Sequence, residues 1–65
     1  MKSEELADIF ATKLRERPYL FSEIMEAFPD LEYRTFLLGW SELRTRYSLA
    51  RDEEGRYKMP ENKNQ

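Results

Sequence analysis

Apolar residues recur near the start of the chain at Leu6, Ile9, Phe10 and Leu14, that is at i, i+3, i+4 and i+8. Such spacing makes one stripe on a helix and predicts a first helix over about residues 4–16. Ser3 is the expected cap, with Glu4 and Glu5 in the positive first turn. Pro18 ends the pattern and biases Arg17 toward an extended conformation. Tyr19-Leu20 follows as a short extended link. Phe21, Ile24, Met25 and Phe28 then repeat at i, i+3, i+4 and i+7, the narrow apolar face of a two-turn helix capped by Ser22 and stopped by Pro29. Asp30 is the expected cap of a third helix from about residue 31 to 46 or 47. Its inner face reads Tyr33, Phe36, Trp40, Leu43 and Tyr47, with Leu37 at its flank. Gly39 lies inside that helix at a cost of about 1 kcal/mol against Ala. Close packing of another helix across this point would explain it.

After the third helix the period changes from 3.6 to 2. Leu49 and Arg51 alternate with Ser48 and Ala50, and a second alternation follows at Arg56, Tyr57, Lys58 and Met59. Asp52-Glu53-Glu54-Gly55 stands between them, polar and ending in a residue able to take positive φ. A hairpin with a four-residue turn is expected, ended by Pro60. The polar residues 61–65 are expected to form a flexible C-terminal tail beyond a domain of residues 1–60.

Composition agrees with a mainly α chain. No Val is present, and two Ile with three Thr are the only β-branched residues. Nine aromatic residues in 65 supply the buried area that so short a chain needs. The absence of Cys and His removes disulfides, thiolate and imidazole metal ligands, and Ser-His or Cys-His nucleophile pairs. A non-catalytic protein without cofactor or metal is therefore expected. Glu23 and Glu26 stand at i, i+3, but no further ligand supports them, and a solvated helix face is the simpler reading. The acidic turn lacks the alternating ligands of an EF-hand, and two glycines 16 positions apart make no phosphate loop. Trp40 lies on the inner stripe and reads as core rather than as a stacking platform. No apolar run reaches the roughly 20 residues that span a bilayer, and no signal peptide is visible. A cytoplasmic location is the expectation.

The order helix, link, helix, short turn, helix, hairpin resembles the winged helix-turn-helix superfamily over about residues 4–60. Ser22-Glu23-Ile24 stands where the first helix of the motif opens. Thr35-Phe36 matches the pair near the start of the recognition helix, Trp40 and Leu43 match its core leucines, and Leu49 matches the residue leading into the wing. Two departures are a turn one residue longer than usual and Tyr47 in place of a glycine. Within the superfamily, Phe21…Phe28-Pro29-Asp30…Arg34, with Leu43, Leu49 and Gly55…Tyr57, resembles the small D protein of dissimilatory sulfite reductase. That family is short, acidic and winged-helix; the resemblance implies either DNA binding or regulation of an enzyme complex.

Charge adds a gradient to this picture. Residues 1–32 carry four basic and eight acidic side chains, net −4, whereas residues 33–60 carry six basic and four acidic, net +2. The basic half coincides with the third helix and the hairpin. The leading expectation is thus a small regulatory protein that binds double-stranded DNA, with Arg34, Thr35, Leu38 and Arg46 in the major groove and Arg51, Arg56 and Lys58 on phosphates. A domain this small would bind specific sites as a homodimer. The alternative is a protein-interaction or assembly module using Leu37 and Leu38 on the same helix. Leu38 lies about 200° from Phe36 around the helix and should face outward. An exposed leucine at the centre of that face, and three acidic residues at the hairpin tip, fit a protein interface better than a phosphate backbone.

Overall fold

The computed structural model describes residues 2–60. Three helices, α1 (Ser3–Glu16), α2 (Phe21–Glu26) and α3 (Tyr33–Arg46), precede a two-stranded antiparallel hairpin, β1 (Ala50–Arg51) and β2 (Tyr57–Lys58). The chain is therefore mainly helical with a small hairpin. No helix among the described residues is long and apolar enough to cross a membrane. The domain expected over residues 1–60 is described from residue 2 onward, and the tail expected at 61–65 lies outside the described residues.

The helices begin with different caps from those the sequence suggested. Lys2 precedes α1, and its N–H donates to Glu5 Oε1 at 3.5 Å, so Ser3 is already the first helical residue. Leu20 precedes α2, and its N–H donates to Glu23 Oε1 at 2.8 Å, which places Ser22 inside the helix. In both cases a glutamate three residues on reaches back to satisfy the backbone donor, half of a capping box. Glu32, not Asp30, precedes α3. The Leu31 N–H donates to the Phe28 carbonyl at 3.1 Å, so Asp30 is consumed in the turn and α3 starts at Tyr33 rather than Leu31.

Packing of α1 on α3 forms most of the domain. The buried face of α1 is Leu6, Ala7, Phe10, Ala11 and Leu14. Ile9, expected in that stripe, is instead 37% exposed. The mean direction of the buried set is turned toward the two alanines, about 130° from Ile9 at 100° per residue. From α3 the core takes Phe36, Gly39, Trp40 and Leu43. A Cβ added to Gly39 would stand 2.6 Å from Leu6 Cδ2 and 2.9 Å from Leu6 Cβ. The glycine is thus the point at which α1 presses on α3, as its position inside the helix suggested.

Phe10 lies at the centre of an aromatic cluster. Its ring centroid is 4.8 Å from Phe36, 5.3 Å from Phe28 and 5.9 Å from Trp40. Trp40 in turn meets Phe21 at 5.3 Å and Tyr57 at 5.2 Å, both edge to face. Such pairs add about 0.5–1.5 kcal/mol each beyond area burial. They join all three helices to the hairpin.

The extended link after Pro18 completes the sheet. Tyr19 and Tyr57 exchange two backbone hydrogen bonds, 3.0 Å and 2.7 Å, beside the β1–β2 pairing of Ala50 with Lys58 and Arg51 with Tyr57. β2 is consequently held on both edges. Gly55 takes φ +87° in the turn, where its N–H donates to the Asp52 carbonyl at 3.0 Å. Asp52 Oδ1 accepts from the Glu54 and Arg56 N–H groups, both at 2.9 Å. These two donors, that of Arg56 foremost, hold the Asp52 carboxyl below its usual pKa.

Candidate interaction surface

Helix α3 turns Phe36, Trp40 and Leu43 inward and leaves the opposite side to solvent. At 100° per residue, Arg34, Leu38 and Thr45 fall on that side, with Glu42 at one flank and Leu37 at the other. Leu38 is 59% exposed and Leu37 39%. Tyr33, expected on the inner face, is 59% exposed. It occupies the first position of α3, beyond the ring cluster, and lines a groove of about 370 Å³ with Met25, Glu26, Phe28, Pro29, Leu31 and Phe36. Tyr33, Leu37 and Leu38 so form an apolar band that runs from the outward face toward this groove. Arg34 and Arg44, on either side of the band, are exposed and have no carboxylate partner among the described residues.

The seven residues singled out for nucleic acid do not converge. Arg34 and Leu38 share the outward face, and Thr35 stands half-buried beside them. Arg46 is turned toward α1 instead. Its Nη1 donates to Asp8 Oδ1 at 2.7 Å and its Nε to Glu42 Oε2 at 3.4 Å. Partial burial disfavours the Arg46 charge, but Asp8 and Glu42 outweigh this and raise its pKa. Its charge is thereby spent on tying α3 to α1.

Arg56 is likewise held within the domain. Nη2 and Nε donate to Glu23 Oε2 and Oε1 at 3.1 Å and 3.3 Å, and Nη1 donates to Glu54. The pairing raises the Arg56 pKa. Glu23 serves three partners at once. The Leu20 N–H first, and the Arg56 guanidinium second, lower its pKa, and Arg17 approaches within 3.9 Å. Glu23 is therefore a hub that caps α2 and fastens the hairpin, a role that its i, i+3 spacing with Glu26 did not suggest. Among the described residues no cluster of three carboxylates forms a metal site.

Arg51 and Lys58 remain on the hairpin surface. The Arg51 guanidinium lies 4.9 Å over the Tyr57 ring. Both residues border a shallow depression shared with Asp52, Glu53 and Glu54. Two cations facing three carboxylates leave this end without net positive charge. Neither the Glu23–Arg56 pair nor the Asp8–Arg46 pair carries a local sequence signal, because their members stand 33 and 38 positions apart. No family model, curated protein or solved structure gives a significant match to the chain.

Proposed function

We propose that the chain is a non-catalytic winged-helix domain that acts as a protein-interaction module, docking its partner on the outward face of α3. The observation that carries this reading is Leu38, 59% exposed in the middle of that face beside Leu37 and near Tyr33. Exposed apolar area of this kind, bordered by arginines, has the composition of an interface centre. Neutralisation of Arg46 by Asp8 and Glu42, and of Arg56 by Glu23 and Glu54, supports the same reading, since it removes two cations from the count available to phosphate.

Expression of tagged wild type and L38E, followed by identification and quantification of co-purifying protein, tests the proposal. Loss of a defined partner in L38E is expected, with the fold retained. Undiminished recovery of every partner by L38E would remove the reading.

Double-stranded DNA is the second reading. It is favoured by the exposed Arg34, Arg44, Arg51 and Lys58, which lie on α3 and the hairpin without ion-pair partners among the described residues. Fluorescence titration of a labelled duplex at about 50 mM salt, where phosphate contacts are strongest, checks it. Binding that weakens steeply with salt supports DNA; no binding at that salt excludes it.

A further inference from the structure

We propose that the partner of the α3 face is a second copy of this chain, packed antiparallel across a two-fold axis through Leu38. This rests on the reading of that face as a protein interface. The supporting observation is the order of charge about Leu38. Arg34 stands four residues before it and Glu42 four residues after it. With a rise of 1.5 Å per residue, each lies about 6 Å from Leu38 along the helix, in opposite directions. When two copies of α3 cross antiparallel at Leu38, Arg34 of each copy therefore comes level with Glu42 of the other. A two-fold contact has to be self-complementary, and this face is so in both its apolar centre and its charged flanks.

Both charged groups are available for such pairing. Arg34 is exposed and has no carboxylate partner among the described residues. Glu42 is half-exposed and uses Oε2 alone, in a long 3.4 Å contact with Arg46 Nε, so Oε1 is open to a second guanidinium. Arg46 keeps its shorter 2.7 Å bond to Asp8 whatever Glu42 does. One helix face is a small interface, so the association is weak and concentration-dependent.

Sedimentation equilibrium with a charge-swap set tests the pairing, using the full chain up to about 1 mM, the range a small interface calls for. Wild type is expected to self-associate. R34E sets a carboxylate against the Glu42 carboxylate at both ends of the dimer, and E42R sets a guanidinium against that of Arg34. Each variant alone should associate roughly tenfold more weakly or worse, as attraction becomes repulsion in two pairs. An equimolar mixture of R34E and E42R restores both attractive pairs and should dimerise like wild type, as should the double variant R34E/E42R. Circular dichroism of each variant verifies the fold.

A wild type that stays monomeric throughout overturns the inference, and so does a dimer indifferent to both single changes or unrescued by mixing. The docking reading fails separately. A monomeric chain that loses a different protein on L38E keeps that reading and discards self-association.

Discussion

Arg56 donates to both carboxylate oxygens of Glu23, from Nη2 at 3.1 Å and from Nε at 3.3 Å. This pair joins the hairpin to α2, while the Tyr19–Tyr57 hydrogen bonds join it to the link before α2. The hairpin is accordingly a fixed part of the domain and not a free arm.

Acid should loosen this attachment. The folded-state pKa of Glu23 lies below its ordinary value of 4.5, as that of Asp52 lies below 3.8. A depressed carboxylate contributes stability that is complete above the unfolded-state pKa and is lost as pH falls through the folded-state pKa. Thermal unfolding should therefore show E23Q less stable than wild type at neutral pH. The gap should begin to close as pH drops below about 4.5 and vanish once Glu23 is protonated in the folded state. A gap independent of pH would remove the charge of Glu23 as its cause.

G39A should destabilise the domain although alanine favours helix. The added Cβ would stand within 3 Å of three Leu6 side-chain carbons, Leu6 Cβ included, so rotation of Leu6 alone cannot clear it. Overpacking costs about 1–3 kcal/mol, against about 1 kcal/mol gained in helix propensity. A net loss of about 1 kcal/mol corresponds to about 4–8 °C in Tm for a domain of this size. Calorimetry of G39A beside an exposed control such as S41A measures it.

G55A should cost about 1–2 kcal/mol by a different route. Its Cβ meets only Arg51 Nη2, at an ordinary 3.6 Å, so the penalty comes from φ +87° and not from crowding. G55N should recover part of the loss, because asparagine tolerates the left-handed region better than alanine does. Chemical denaturation of the two variants gives the comparison.

F10A should be the most destabilising of these changes and bring cooperative unfolding down toward moderate temperature. Phe10 is fully buried and its ring touches three others. Phe→Ala in a core costs about 3–5 kcal/mol. Marginal stability of roughly 0.05–0.15 kcal/mol per residue gives a domain of 65 residues about 3–10 kcal/mol, so the change removes about a third of it or more. Loss of near-UV circular dichroism from Trp40 and the tyrosines reads it directly. L38E, at an exposed site, should by contrast change stability by no more than about 0.5 kcal/mol.

Amino-acid order alone determined the three helices, the extended Tyr19 link, the turn at Gly55 and the outward direction of Leu38. Each follows from backbone geometry acting over a few residues, through helical period, proline, or the freedom of glycine. Cap positions shifted by one or two residues because glutamates at 5 and 23, rather than serines, reach the free N–H groups. Tertiary structure alone decided that α1 turns Ala7 and Ala11 inward instead of Ile9, and that Tyr33 lines a groove instead of the core. It also decided which cations stay available. Arg34 and Arg46 read alike along the chain, yet Arg46 meets Asp8 from 38 residues away and Arg34 meets no carboxylate among the described residues. Such pairings depend on the angle at which packed elements cross, which is settled by the core as a whole and leaves no periodic trace in the residues it brings together.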